Sequence, residues 1–421
     1  MKKIVIKGGN LLSGEVDISV AKNAVLPIMA ATILSDDIIK IEECPMLEDV
    51  RILSEILLDV GCEVDFDKQD GSLNICSNGI KKYTADCDLV QMLRGSFLIM
   101  GPMIAKYKKF TLACPGGCQI GSRPIDLHLK GFEALGAKVT QSYGFIEITG
   151  ENLHGGNIYL DFPSVGATEN IMMLASLTKG RTIIGNPALE PEIEDLANFL
   201  NAMGARVQFN VNSSIIIDGV ESLSGVSYKP IYDRIEAGTF MVAAAITKSQ
   251  IRLNGVNEEH LKPVIEKLRE IGCSIEIEAG GDIAIVNGGS IIGNTDIKTL
   301  PHPGYPTDMQ SQMMTLLSIG IGTSIIEENI FENRFMNVAE LRKMGANIKI
   351  KGTTAIIEGT ERLFGTTVKA CDLRSGAALI IAGLIADGET IIEDIHHIDR
   401  GYVTIEEKFR LLGADIKRIN M

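Results

Sequence analysis

Positive charge is in short supply in this sequence. Its 40 Lys and Arg residues face 54 Asp and Glu, giving a formal net charge of −14 and a pI near 5.0. A general nucleic-acid or anionic-membrane surface would need the opposite balance, although a local basic pocket for a small anion remains compatible with it. Long apolar runs are also missing. The best stretch, 377–386, is about half the length of a membrane span. Met1-Lys2-Lys3 leads straight into the alternating Ile4 and Ile6 and then Gly8-Gly9, without the apolar core of a secretory signal. The eight cysteines (Cys44, Cys62, Cys76, Cys87, Cys114, Cys118, Cys273 and Cys371) form no C-x-x-C pair and no zinc-like spacing with histidine. We therefore expect a cytoplasmic protein with reduced thiols and no metal. Neither a Walker A motif nor a strand-linked G-x-G-x-x-G occurs, so a nucleotide cofactor held by those routes is not expected.

What is present is a repeat. At 421 residues the chain is too long for one ordinary core, so two or more domains are expected. The 45% apolar and 22% charged residues describe a packed globular protein. A glycine preceded by an aliphatic residue and followed by a small residue and a strand-like run recurs about every 70 residues, the signature of a repeat architecture. The copies centre on Gly61, Gly136, Gly204, Gly272, Gly345 and Gly413. Each follows an amphipathic run; Leu261, Val264, Ile265, Leu268 and Ile271 mark one face of a helix. Glycine just beyond such a helix suits a left-handed C-terminal cap.

Upstream in each unit lies a second helical run that is apolar all round: 25–34, 97–105, 171–177, 240–246, 313–319 and 377–385. A helix of that kind is buried. Each is preceded by an aspartate (Asp17, Asp88, Asp161, Asp233, Asp308, Asp372), with Lys22, Arg94, Ser164, Arg234, Thr307 or Arg374 close by. Helix capping explains all six aspartates in the simplest reading. If several helix N-termini converge on one cleft, they also make a site for phosphate or carboxylate. Six units divide naturally as three plus three.

Several residues are candidates for chemistry. The segment Cys114-Pro115-Gly116-Gly117-Cys118-Gln119-Ile120-Gly121-Ser122-Arg123-Pro124 joins an apolar strand-like run to a helix-like run. Cys118 on such a glycine-rich loop, near Arg123, is either a structural residue or an activated thiol. Lys22-Asn23 opens the first buried helix, where a lysine is unfavourable against the helix dipole and invites an anionic partner. Arg94, Arg123, Arg334 and Arg400 lie beside glycine or proline, or at element boundaries, and arginine is the residue for bidentate carboxylate and phosphate recognition. Thr307 to Gln310 fits a capping box, which makes Asp308 either a first-turn acid or a general base. His396-His397, adjacent in what reads as an extended segment, would point to opposite sides and not bind a metal together.

Four motifs together point to a family. Lys22-Asn23-Ala24, the loop from Pro115 to Pro124, Tyr305-Pro306-Thr307-Asp308-Met309-Gln310 and Asp399-Arg400-Gly401-Tyr402 resemble the MurA family of enolpyruvyl transferases along the whole chain. The resemblance implies an α/β fold of two inside-out α/β barrel domains, made of six βαβαββ-type repeats, three per domain. One domain would cover 22–230 and the other 1–21 plus 231–421. It implies transfer of the enolpyruvyl group of phosphoenolpyruvate to the 3′-hydroxyl of UDP-N-acetylglucosamine in peptidoglycan synthesis, with phosphate released and no cofactor. Cys118 would protonate the methylene carbon of phosphoenolpyruvate and would be the thiol alkylated by fosfomycin. Asp308 would take the sugar hydroxyl proton. Lys22, Arg123 and Arg400 would hold phosphate and carboxylate, with Arg94 nearby, and Asn23 would contact the sugar or the intermediate. Arg123, Pro124, Ile125, Asp126 and Leu127 would hold the uridine end, and Ser164, Val165 and Gly166 the diphosphate. Ile330 and Arg334 would border the sugar, with Asp372 and Arg374 supporting the cleft. The glycine-rich loop would close when the sugar nucleotide binds.

The chain departs from the familiar pattern at Glu48 and Phe162, both in place of an expected lysine, and in having no tryptophan. Two other readings are a shikimate-pathway enolpyruvyl transferase, against which the Cys118 loop counts, and a non-catalytic sugar-nucleotide sensor, against which the joint presence of Cys118 and Asp308 counts.

Overall fold

The repeated glycines do what their surroundings ask of them. Gly61, Gly136, Gly204, Gly272, Gly345 and Gly413 have φ angles of +110°, +88°, +106°, +108°, +99° and +99°, geometry that residues with a Cβ resist. Each ends a helix and releases the chain toward a strand. The helices concerned are Glu48–Val60, Asp126–Ala134, Pro191–Ala202, Glu258–Glu270, Val338–Lys343 and Ile405–Leu411. In Glu258–Glu270 the buried residues are Leu261, Val264, Ile265 and Leu268, while acidic residues open the helix and Lys267 and Arg269 close it, as the macrodipole favours.

The computed structural model describes residues 2–113, 125–278, 281–290 and 292–420. The chain divides into two compact units, one drawn from residues 2–19 and 232–420, the other from 20–113 and 125–231. In the first, the buried helices Arg234–Ile246, Gln310–Leu317 and Leu373–Ile385 pack on one another and each lies against its own four-stranded sheet. In the second, Lys22–Ala31 packs on the 3₁₀ turn Arg94–Ile99, which continues into Met100–Tyr107 and packs on Val165–Ser176.

The sheets share one plan. A parallel pair is extended by two antiparallel strands, as where Ser13–Asp17 runs parallel to Gln250–Asn254, followed by Ile283–Asn287 and Ser274–Ile277. Lys2–Lys7 pairs antiparallel with both Glu389–Glu393 and Asp415–Asn420, tying the first residues of the chain to the last. One sheet has three strands, Lys109–Ala113, Phe145–Thr149 and Lys138–Ser142. There a single parallel bridge between Thr84 and Thr111 stands where its counterparts have a strand.

The buried helices begin earlier than their apolar runs suggest: at Val165 instead of Ile171, at Arg234 instead of Phe240, and at Leu373 instead of Ala377. Their N-terminal parts carry polar side chains that are buried yet bonded, such as Thr239, whose hydroxyl donates to the Ile235 carbonyl at 2.7 Å. An apolar count misses such parts. Capping also explains fewer aspartates than expected. Asp233 and Asp372 cap their helices, but Asp17 ends a strand and accepts from Asn254 at 2.8 Å. Asp161 pairs with Lys130 at 2.7 Å, and Asp88 lies inside a helix capped by Asp86.

Candidate active site

Asp308 sits in the 3₁₀ turn Thr307–Met309, which leads into the helix Gln310–Leu317. The expected capping box does not form. The residue before the turn is Pro306, whose side chain has no acceptor, and the Thr307 hydroxyl donates instead to Glu328 Oε2 at 2.9 Å. Arg334 Nη2 donates to Asp308 Oδ1 at 2.7 Å. Arg374 donates to Oδ2 through Nε at 3.0 Å and Nη2 at 2.9 Å. Both arginine side chains are 3% exposed and that of Asp308 is 28% exposed. The carboxylate therefore reaches solvent while the charges that hold it do not.

Arg374 is itself anchored. Its backbone N–H donates to Asp372 Oδ1 at 2.8 Å, in a capping box completed by Ser375, and its guanidinium carbon lies 5.4 Å from the centre of the buried Tyr402 ring. Burial works against its charge, but Asp308, Tyr402 and Asp233 more than offset this and hold its pKa above the ordinary value. The Thr239 hydroxyl, already donating to Ile235, lies 3.0 Å from the Tyr402 hydroxyl and accepts from Gln312 Nε2 at 3.2 Å. A buried polar chain thus runs beneath the arginine–aspartate pair.

Arg400 closes the 3₁₀ turn Ile395–Arg400. Gly376 lets this turn approach, because a Cβ there would lie 2.4 Å from Ile398 Cγ1. Neighbouring Asp399 accepts from Arg418 at 2.9 and 2.7 Å, and Arg418 also donates to Glu406 at 2.6 and 3.0 Å. His396 and His397 do not point apart as expected. In a helical turn their ring centres come to 4.1 Å, tilted by 36°. Among the described residues, no group of three or more His, Cys, Asp or Glu side chains is placed to hold a metal ion.

In the other unit, Lys22 is the first residue of its helix, and its ammonium meets Asp49 Oδ2 at 3.2 Å. Both side chains are largely buried, at 12% and 4% exposed. A resident carboxylate thus offsets the unfavourable lysine. Glu48, one of the departures from the family pattern, pairs with Arg51. Asn23 is half-buried beside Lys22.

Arg94 opens its 3₁₀ turn with its guanidinium 6.0 Å from the Phe97 ring. Asn170 links this turn to two other segments. Its Oδ1 accepts from Gly101 N–H at 2.8 Å, which fixes the amide orientation, and its Nδ2 reaches Phe97 O, His128 Nδ1 and Gly166 O at 3.1, 3.0 and 3.3 Å. Burial first, and the charge of Arg94 second, push His128 down to about 4, so the ring is neutral and Nδ1 can accept. Ser164 caps the helix Val165–Ser176, its hydroxyl accepting from Ala167 N–H. Phe162 is exposed beside it. Ile125, Asp126 and Leu127 begin the helix that carries His128, with Asp126 exposed. Cys118, Arg123 and Pro124 lie outside the described residues.

A model of the family EPSP synthase (3-phosphoshikimate 1-carboxyvinyltransferase) matches residues 6–409. The chain belongs to this enolpyruvyl transferase family. Within it, the chain is 58% identical over 421 residues to UDP-N-acetylglucosamine 1-carboxyvinyltransferase 1 of Clostridium perfringens, covering 100% of both chains. The enzyme of the same name from Staphylococcus aureus is 49% identical over 422 residues, again across 100% of both. Among solved structures, the enolpyruvyl transferase NikO from Streptomyces tendae matches with a TM-score of 0.90 at 24% identity, over 100% of this chain and 99% of that one. An EPSP synthase from Acinetobacter baumannii matches with a TM-score of 0.77 at 19% identity over 100% of both chains. The fold is the enolpyruvyl transferase fold.

Asp49, Glu328, Thr239 and Asn170 belong to these networks, and sequence reasoning did not single them out. Tyr402 was noted only as the last residue of a motif. Asp49 left one trace, as an acid in the first turn of a helix. The others matter through partners distant in sequence, Thr307 for Glu328, Tyr402 for Thr239 and Phe97 for Asn170, which no local pattern marks.

Proposed function

We propose that the chain transfers the enolpyruvyl group of phosphoenolpyruvate to the 3′-hydroxyl of UDP-N-acetylglucosamine with release of phosphate, the first committed step of peptidoglycan synthesis. The end-to-end match at 58% identity to a UDP-N-acetylglucosamine 1-carboxyvinyltransferase carries this reading. The enzyme acts in the cytoplasm, through two enolpyruvyl transferase domains, 22–230 and 1–21 with 231–421.

Addition of the sugar oxygen to C2 of phosphoenolpyruvate requires a proton at C3 and removal of the hydroxyl proton. Cys118 gives the first and Asp308 receives the second. Phosphate then leaves as C3 returns a proton. Charge that develops at C2 is stabilised by groups fixed in advance, not by mobile water. Arg334 and Arg374 hold Asp308 in place, and Asp372 holds Arg374. Lys22, Arg123 and Arg400 hold the phosphate and carboxylate, with Arg94 close by. Asn23 contacts the sugar or the intermediate, and Ile330 borders the sugar. Residues 123–127 take the uridine end, while Ser164, Val165 and Gly166 offer backbone N–H groups to the diphosphate.

Mass spectrometry of a mixture with both substrates tests the proposal. We expect enolpyruvyl product from the wild-type protein and none from Asp308→Asn. A wild-type protein that binds the sugar nucleotide but forms no product contradicts it. Alkylation by fosfomycin, seen as added mass that Cys118→Asp abolishes, tests the role of the thiol.

A further inference from the structure

Asp308 needs a fixed position, yet its own turn supplies little to hold it. The turn Thr307–Met309 has no side-chain cap, and the helix that follows, Gln310–Leu317, has none either. Besides the two arginines on Asp308, the turn is held from outside by Glu328, a buried residue directly after the strand Thr323–Glu327. Oε2 of Glu328 accepts from the Thr307 hydroxyl at 2.9 Å. Oε1 accepts from the backbone N–H groups of Ile330 and Phe331 at 2.9 and 3.1 Å, and from the Thr299 hydroxyl at 2.9 Å. Thr299 Oγ1 in turn accepts from Asn329 N–H at 2.9 Å. One carboxylate therefore ties down three consecutive backbone N–H groups of the 329–331 segment, directly or through Thr299.

That segment leads to Arg334, which donates to Asp308 Oδ1 at 2.7 Å and stacks near Phe331, its guanidinium carbon 5.7 Å from the ring centre. Glu328 is thus bonded to the residue before the aspartate and to the loop that delivers the arginine. A buried carboxylate must be compensated by donors, and three of the four direct donors, Thr307, Ile330 and Phe331, belong to the segments that position this pair, while the fourth, Thr299, holds Asn329 of the same loop. From this geometry we infer that Glu328 is the positioning residue for the Asp308–Arg334 pair, holding the base at the sugar hydroxyl without touching substrate itself. The inference rests on the reading of Asp308 as the base.

Steady-state kinetics on the full chain test it, with rates expressed per UDP-N-acetylglucosamine-binding site counted by titration. Thr307→Val releases only the aspartate side. It should lower kcat roughly tenfold while leaving KM for the sugar nucleotide within about twofold. Glu328→Ala releases both sides and should lower kcat roughly a hundredfold while raising that KM. Glu328→Gln should restore most of the rate, since its amide oxygen can accept from Ile330 and Phe331 and its NH₂ group can donate to the Thr307 hydroxyl. A residue that only stabilises the fold would lower the melting temperature and leave the rate per binding site at the wild-type value. That result in Thr307→Val, which removes one hydroxyl and should fold whatever becomes of Glu328→Ala, overturns the inference. A wild-type protein without turnover removes the base reading itself, and the control arm tells the two failures apart.

Discussion

Arg374 grips Asp308 from the side: Nε and Nη2 both donate to the single oxygen Oδ2, at 3.0 and 2.9 Å, and Oδ1 is left to Arg334. The two guanidiniums come from different elements, so the carboxylate is held from two directions. Lysine cannot reproduce a two-nitrogen contact. Arg374→Lys should therefore lower kcat roughly a hundredfold, with a smaller change in either KM. The substitution also removes donors and ring contact from a buried position beside Tyr402, so a lower melting temperature should accompany the loss of rate. Phosphate-release kinetics and a thermal melt check both; a variant with wild-type kcat contradicts the assigned role.

Asp49 neutralises Lys22 at 3.2 Å in a largely buried pair. An anion arriving at Lys22 therefore meets a negative charge close behind it. Asp49→Asn keeps the shape and removes that charge, and should tighten inorganic phosphate binding about fivefold, which corresponds to roughly 1 kcal/mol. Calorimetric titration measures it. Unchanged or weaker binding would mean that Lys22 does not meet the phosphate.

His128 is held well below its ordinary value of 6.5, at about 4, by burial and then by Arg94. The unfolded chain takes up a proton that the folded chain refuses between those two values, so stability is fully present above pH 6.5 and is lost as pH falls toward 4. The melting temperature of the wild type should drop more steeply across that window than that of His128→Gln. Parallel curves contradict the neutral, accepting ring.

Glu169 shows the opposite sign. Burial, followed by the charges of Glu192 and Glu190, raises its pKa well above 4.5. Its contribution is fully present below pH 4.5 and is lost as pH rises through the folded value. Glu169→Gln should therefore raise the melting temperature at pH 8 and change it little at pH 4.5. Equal shifts at both pH values would show that titration is not the cause.

The six-fold repeat was legible because it is local chemistry. Each glycine with φ near +100° sits next to the helix face that it terminates, and helix periodicity can be read within a dozen residues. The inner helices were legible from Phe240 or Ala377 onward but not from Arg234 or Leu373, because their N-terminal parts bury Thr239 and Ser375 in hydrogen bonds that composition does not reveal. The site shows the same division. Lys22 and Asp308 stand in motifs, Arg334 and Arg374 were marked only by residue type and place in the repeat, and the structure brings the last three together. Their partners are not legible. Asp49 is 27 residues from Lys22 and Thr239 is 163 from Tyr402, and only folding makes them neighbours. Thr307 misled for a related reason: its spacing to Gln310 suits a capping box, but Glu328 offers the hydroxyl a buried acceptor instead.

The central claim is that this chain makes an enolpyruvyl sugar nucleotide, and phosphate release from phosphoenolpyruvate tests it most directly. The assay is run with UDP-N-acetylglucosamine, with shikimate-3-phosphate, and with a Cys118→Ala control. We predict release with the sugar nucleotide alone, abolished in the control. Release with shikimate-3-phosphate, or none with either acceptor despite measurable nucleotide binding, would contradict it.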